Sequence, residues 1–375
     1  MPPWTSKKPK NSPPSPYSRK KATNYRLVHH YQHKQMPKLL KTILKFIGFL
    51  GIGILLIWLV TKNLTPSQVE EIKDALRRAN YWILLPAAVL GFLSHWVRAM
   101  RWRLLFFPLG YQPRKLNTFF AVMIGYLVNL AVPRLGEVTR CGILARYEKI
   151  PVDKLVGTMI AERGFDLICL IILITVTILV QVDVVAGVVE SYITNPLNNM
   201  YQNASVSRLL IILAIIAGVV LLFVWLLRRF ARTKAAIALR ALIRGVMEGI
   251  FSVFKMKQKG WFLFYTVAMW LLYFSQVYIA FRCLPETMGL GVKAGLSILA
   301  FGSIGMIVTQ GGIGAYQIIV QNTLVLYGIQ QTIGYAFGWI IWVAQTLLVI
   351  VLGLLSMLGF PVYNKHYQPA PRKTT

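Results

Sequence analysis

Apolar positions along this chain gather into long runs separated by short polar stretches, many of them rich in Lys and Arg. Leu39 to Val60, Gly164 to Val182 and Ile333 to Phe360 each approach or exceed the roughly 18–20 residues that cross a bilayer core. Further runs cover Tyr81 to the basic cluster Arg98, Arg101 and Arg103, then residues 208–228 and 261–284. Two more are interrupted. Leu116 to Val132 stops at Pro133-Arg134-Leu135-Gly136-Glu137, from which a mixed helix is expected to continue to about Arg146. Ala294 to Tyr327 is broken at Gln310-Gly311-Gly312-Ile313-Gly314. An amphipathic piece, Val152 to Arg163, leads into the span at 164–182, and residues 61–80, with Glu70, Glu71 and Asp74, read as a polar loop. The pattern predicts an all-α, polytopic membrane helix bundle.

Composition supports that class. Of the 375 residues 56% are hydrophobic and only 14% charged, whereas soluble domains carry about 25% charged residues. The formal net charge is +29, which by itself resembles a nucleic-acid footprint. Its placement argues for lipid instead. The first 41 residues hold ten Lys or Arg and no acidic residue, and a second cluster lies between Arg228 and Lys259. Both abut apolar spans, as expected of cytoplasmic segments under the positive-inside rule. No nucleic-acid partner is expected.

Charge and parity together predict a topology. Residues 1–38 read as a disordered basic cytoplasmic tail, because a Pro-, Ser- and Lys-rich segment buries too little apolar surface to offset its ordering entropy. A first membrane half spans 39–182, an outside loop 183–207 holds Asp183 and Glu190 without Lys or Arg, and a second half spans 208–360 around the basic cytoplasmic loop 229–259. Residues 361–375 form a cytoplasmic tail. The span at 164–182 must start inside to end at the acidic loop, so 116–163 crosses an even number of times. The same count applies to 294–332. The simplest solution has six spans plus two re-entrant hairpins, turning near Pro133–Gly136 and Gln310–Gly314 and entering from opposite faces. The alternative is two full crossings at each hairpin. Interrupted segments at matching places in inverted halves point to a transporter with a site near the midplane.

The breaks and their charges are therefore the candidate site. Irregular backbone at membrane depth is tolerated where protein buries it or where it lines a watery cavity. Pro133 suits the first position of a new helix, and Arg134 and Arg140 beside free N–H groups there offer a phosphate charge-assisted bonds. Glu137 and Arg140 share a helix face. Gly311, Gly312 and Gly314 let backbone approach a ligand closely, or serve close helix packing. Glu162, Arg163 and Asp166 form a second charged knot; Glu162 and Asp166, four apart on one face, need a cation between them, with Arg134 or Arg140 the expected donor. Arg98 and Arg101 end a span, where interfacial Arg commonly anchors, and they also suit a lipid headgroup.

Other chemistry is not signalled. Cys141, Cys169 and Cys283 are widely spaced, without a metal or disulfide pattern. His29, His30 and His33 lie in the basic tail, and His95 stands alone at membrane depth. No Gly-x-x-x-x-Gly-Lys-Ser/Thr loop, Gly-x-Ser-x-Gly elbow or His-Glu-x-x-His occurs. We expect no enzyme activity, no catalytic residue, no cofactor and no metal.

Taken together, Asn129-Leu-Ala-Val-Pro133-Arg134-Leu-Gly136-Glu137-x-x-Arg140, the following Glu162-Arg163-x-x-Asp166, the Arg-x-x-Arg-Trp of Arg98–Trp102 and the Gln310–Gly314 break resemble the lysylphosphatidylglycerol synthase transmembrane region, also called flippase-like membrane proteins, of bacteria. The resemblance covers roughly residues 40–360. It implies movement of a lipid or lipid-linked headgroup across a bacterial inner membrane, with anionic or aminoacylated phospholipids as partners. In fused synthases a soluble C-terminal domain transfers an aminoacyl group to phosphatidylglycerol; this chain ends at Thr375, so no aminoacylation is expected. Two positions depart from the family pattern: Gln310-Gly311-Gly312 replaces a common Pro-Gly-Gly, and Gln317 stands where members often carry Glu. The rival reading is a non-transporting scaffold or accessory subunit of an envelope lipid or glycan enzyme, held through the loop 229–259.

Overall fold

The computed structural model describes residues 38–62, 64–132, 134–181, 218 and 256–367. The expectations for the N-terminal tail before residue 38, the outside loop 183–207, the span 208–228 and most of the basic loop 229–259 fall outside the described residues.

Every regular element among the described residues is helical. The helices are α1 (Lys38–Thr61), α2 (Pro66–Arg78), α3 (Leu84–Leu104), α4 (Lys115–Ala131), α5 (Leu135–Glu148), α6 (Val152–Val180), α7 (Lys259–Ala280), α8 (Val292–Val308), α9 (Ala315–Val325) and α10 (Gln331–Tyr363). The segments Tyr81–Leu109, Val152–Val180, Lys259–Cys283 and Gln331–Tyr363 are long and apolar enough to cross a membrane. Their outward faces show lipid-compatible side chains, among them Ile172 and Leu179 on α6 and Leu355 and Leu358 on α10. The interior in contrast buries Ser94, His95, Arg101, Arg140, Glu162, Gln317 and Gln321. With lipid outside there is little hydrophobic gain in hiding Leu, so contacts between helices favour small and polar groups.

One segment differs from the sequence reading. Residues 66–78, expected as loop, form α2. Thr65 caps it through a reciprocal box, its hydroxyl accepting from Gln68 N (3.3 Å) while Gln68 Oε1 accepts from Thr65 N (2.9 Å), and Pro66 opens the first turn. These devices satisfy orphan donors and pre-set φ, and burial of Ala75 under Ile72 and Leu76 fixes the helix on the bundle. The amphipathic piece and the span after it are one continuous helix, the 29-residue α6.

The helices pack by one scheme used twice. In the first part α3 packs on α4, α4 on α5 and α5 on α6; in the second α7 packs on α8, α8 on α9 and α9 on α10. Across the parts α10 packs on α4 and α6 on α8, while α3 and α7 pack on each other. These contacts correspond in pairs, while α10 packs in addition on α2 and α3.

Polar contacts gather the connections at two opposite ends. At one end, Asn80 N donates to Cys283 O (2.8 Å), Arg78 pairs with Glu286 and Gln330 Nε2 donates to Glu71 (3.0 Å). Gln181 at the end of α6 joins them, donating to Lys293 O (3.0 Å) and accepting from Ser297 (2.8 Å). At the other end, the Glu148 carboxylate accepts from Arg114 N (3.0 Å), Asn117 Nδ2 (2.6 Å) and Tyr367 Oη (3.1 Å). Arg114 precedes α4 and Glu148 closes α5, so the first hairpin returns to its starting end. The second does the same at the opposite end, where Ser297 meets Tyr327 (2.9 Å).

Candidate functional site

The two hairpin turns touch. Gln310, at the start of the second turn, donates its side-chain amide to the backbone oxygens of Asn129 (2.5 Å) and Leu130 (3.3 Å), at the end of α4. Trp342 on α10 holds the same turn by donating to Gly311 O (2.7 Å).

Local sequence explains each turn. In the first, Asn129 caps α5 from across the hairpin, its Oδ1 accepting from Gly136 N (2.7 Å). Gly136 has to be glycine: a Cβ there would lie 1.9 Å from Gly125 O. This close approach brings Arg140, one turn later, against α4, with its Cβ 3.1 Å from where a Cβ on Gly125 would be. Arg134 sits at the turn in the left-handed region (φ 63°), exposed and in no ion pair among the described residues. In the second turn Gly311, Gly312 and Gly314 all have positive φ. A Cβ on Gly312 would strike Met306 Sδ (2.5 Å), and one on Gly314 would strike Gly53 O of α1 (2.5 Å). Turn geometry and packing therefore account for Gly312 and Gly314, while Gly311 faces only Leu130 at 3.6 Å.

Behind the first turn lies a buried knot of charge. Glu162 Oε2 binds Arg140 Nη2 (2.8 Å), and Glu162 Oε1 binds Arg98 Nε (3.1 Å) and lies 3.6 Å from Arg101 Nη2. Asp166 takes Arg98 Nη2 (2.6 Å) on one oxygen and Arg101 on the other. Arg101, Arg140 and Glu162 are all at most 1% exposed. Tyr273 of α7 accepts from Arg98 (3.3 Å), Tyr126 of α4 lies under the Arg98 guanidinium (5.7 Å), and Trp102 lies under that of Arg140 (4.4 Å). Arg163 turns away and pairs with Glu137 (3.3 Å) on the more exposed side.

The sequence thus placed Arg140 correctly at Glu162, but the cations between Glu162 and Asp166 are Arg98 and Arg101, not Arg134. The signal was present: the three-residue spacing of Arg98 and Arg101 on α3 matches the four-residue spacing of the carboxylates on α6. Tyr126, Tyr273 and the contact between His95 and Gln345 (3.3 Å) carry no signature of their own. Within the knot three guanidinium groups meet two carboxylates, leaving one positive charge in excess. Nε and Nη1 of both Arg101 and Arg140 have no hydrogen-bond partner among the described residues. Buried guanidinium donors without partners are costly, and an anion that reached them would satisfy them.

Among known proteins, the chain is 28% identical over 269 residues to a UPF0104 membrane protein of Methanothermobacter thermautotrophicus, covering 65% of this chain and 75% of that one. It is 27% identical over 128 residues to a UPF0104 membrane protein of Methanocaldococcus jannaschii, 33% of this chain and 36% of that relative. No solved structure matches. The profile of the lysylphosphatidylglycerol synthase transmembrane region matches residues 46–353, across the helices that carry the knot and both turns, and the chain belongs to that family.

Proposed function

We propose that the protein moves a lipid or lipid-linked anionic headgroup across the membrane that holds it. The observation that carries this reading is the excess buried positive charge, with unpartnered donors on Arg101 and Arg140, set directly behind the meeting point of two helical turns. A phosphate-bearing headgroup is the ligand such donors suit.

The hairpins supply the route. Their arms hold 17 and 14 residues in α4 and α5, and 17 and 11 in α8 and α9, about 25, 21, 25 and 16 Å at 1.5 Å per residue. All fall short of a core about 30 Å thick. Hairpins that start at opposite ends and touch at their tips suit re-entry from opposite faces, the arrangement of an inverted-repeat transporter. The end bearing Arg103, Arg114 and Lys149 is richer in basic residues, which favours cytoplasmic termini. Arg98, Arg101 and Arg140 would receive the headgroup, Glu162 and Asp166 would hold the cations apart, and Arg134 at the tip would meet the phosphate first.

Native mass spectrometry of the purified protein tests the ligand. The parent should retain anionic phospholipid that the Arg140→Gln protein loses. Retention of phospholipid without regard to headgroup charge would favour a scaffold instead.

A further inference from the structure

We propose a second ligand site, uncharged, that takes a polyhydroxyl headgroup such as a glycosyl group, at the end of the bundle opposite Glu148. It is a cavity of about 260 Å³ between α1, α2, α9 and α10, just below the low end of ordinary small-molecule sites (about 300 Å³). Its polar lining is Gln68, Gln321, Gln331, Thr332 and Tyr335, with aliphatic side chains closing the other wall and no charged residue among the described residues. Gln321 and Thr332 are each 4% exposed, and Gln321 Oε1 and Thr332 Oγ1 lack a hydrogen-bond partner among the described residues. One turn deeper on the same face of α9, Gln317 is fully buried, and both its amide atoms are unpartnered among the described residues.

The chemistry of that lining selects the ligand. Amides and hydroxyls donate and accept at once, which suits vicinal hydroxyls, each itself donor and acceptor. A phosphate would find no cation here, and an ammonium group no carboxylate. The duplicated packing scheme sharpens the contrast. Counted from the first residue of the second hairpin arm, Glu137 and Gln317 both stand third, and Arg140 and Gln321 sixth and seventh. The charged knot thus lies where α5 meets α6 and α3, and the neutral cavity where α9 meets α10, α1 and α2. Gln331 also borders an adjoining groove of about 980 Å³ that presents Phe301, Ile304, Ile319 and Leu326, apolar surface beside a polar cavity, as a lipid-borne sugar requires.

The inference rests on a transport reading of the hairpins only for its purpose; ligand binding is measured separately. The full chain, purified in a detergent without a sugar headgroup, is titrated with a dioctanoyl monoglycosyl diacylglycerol, with methyl glucoside and with dioctanoyl phosphatidylglycerol. The combined Gln321→Leu and Thr332→Val variant should bind the glycolipid at least about tenfold more weakly, the loss expected for two hydrogen bonds. Its thermal midpoint should hold or rise, because buried unpartnered polar atoms are removed, and its phosphatidylglycerol binding should not change. Arg140→Gln should show the reverse pattern. Glycolipid binding far tighter than methyl glucoside assigns the site to a lipid, and equal binding to a free sugar; both uphold a neutral polyhydroxyl ligand. Absence of saturable binding of either glycoside to the parent, or equal binding by the double variant, overturns the proposal.

Discussion

The side-chain amide of Gln310 reaches the backbone oxygen of Asn129, 181 residues earlier in the chain. That bond joins the turns of two helical hairpins whose bases lie at opposite ends of the bundle, and it places the Gly311 backbone beside Leu130. A path between the two membrane faces through this region has to part or skirt that contact.

Replacing Gln310 by Leu removes the donor at nearly constant volume. The expected cost is about 1 kcal/mol, the usual net worth of one hydrogen bond, read as a small drop in thermal midpoint. If the contact acts as a latch, lipid movement in vesicles should quicken; a slower rate would mean that the contact builds the route and does not bar it.

Glu162 is the centre of the knot, bound to Arg140 and Arg98 and near Arg101. Glu162→Gln leaves those buried cations short of a counter-charge and should cost about 3–5 kcal/mol. Glu137→Gln, which breaks only the partly exposed pair with Arg163, should cost under about 1 kcal/mol. Thermal unfolding in micelles distinguishes them, and equal effects would contradict the burial-based account.

Two glycines on α5 make a paired test. Gly136→Ala forces a Cβ to 1.9 Å from the Gly125 oxygen and should unseat the hairpin, lowering the midpoint strongly. Gly142 has nothing within 4 Å of its Cβ position, so Gly142→Ala should stabilise by up to about 1 kcal/mol through helix propensity. Similar responses at both positions would mean that α4 and α5 do not approach as described.

At the other end Glu148 ties α4, α5 and the segment after α10 together through Arg114 N, Asn117 and Tyr367. Glu148→Ala should cost about 2–3 kcal/mol, since charge-assisted bonds are lost and buried donors are left unpaired. Limited trypsin digestion should then cut after Lys365 much faster; an unchanged rate would count against the tie.

Much of this fold was legible in the sequence because its interruptions have local causes. Three closely spaced glycines at 311–314 mark a turn that needs positive φ, and Pro133-Arg134 marks a helix start, so both hairpin turns fall where the pattern placed them. Helix α2 lies where the polar pattern predicts a loop, because the Thr65–Gln68 capping box and the packing of Ala75, and not an apolar run, define it. The knot was half legible. Carboxylates four apart on α6 announce that a cation is needed, and the spacing of Arg98 and Arg101 on α3 matches them, but which Arg meets them depends on how α3 packs against α6, a tertiary fact. The neutral cavity was invisible for the same reason, since Gln68, Gln321 and Thr332 become a site only when α2, α9 and α10 assemble.

The most direct test of the central claim is headgroup translocation in proteoliposomes, read by dithionite quenching of fluorescently labelled phosphatidylglycerol. The parent should make inner-leaflet label accessible, and Arg140→Gln, shown to remain folded, should do so at least about tenfold more slowly, the equivalent of one lost interaction of about 1.4 kcal/mol. A parent no faster than protein-free vesicles, or an Arg140→Gln protein as fast as the parent, would contradict that claim.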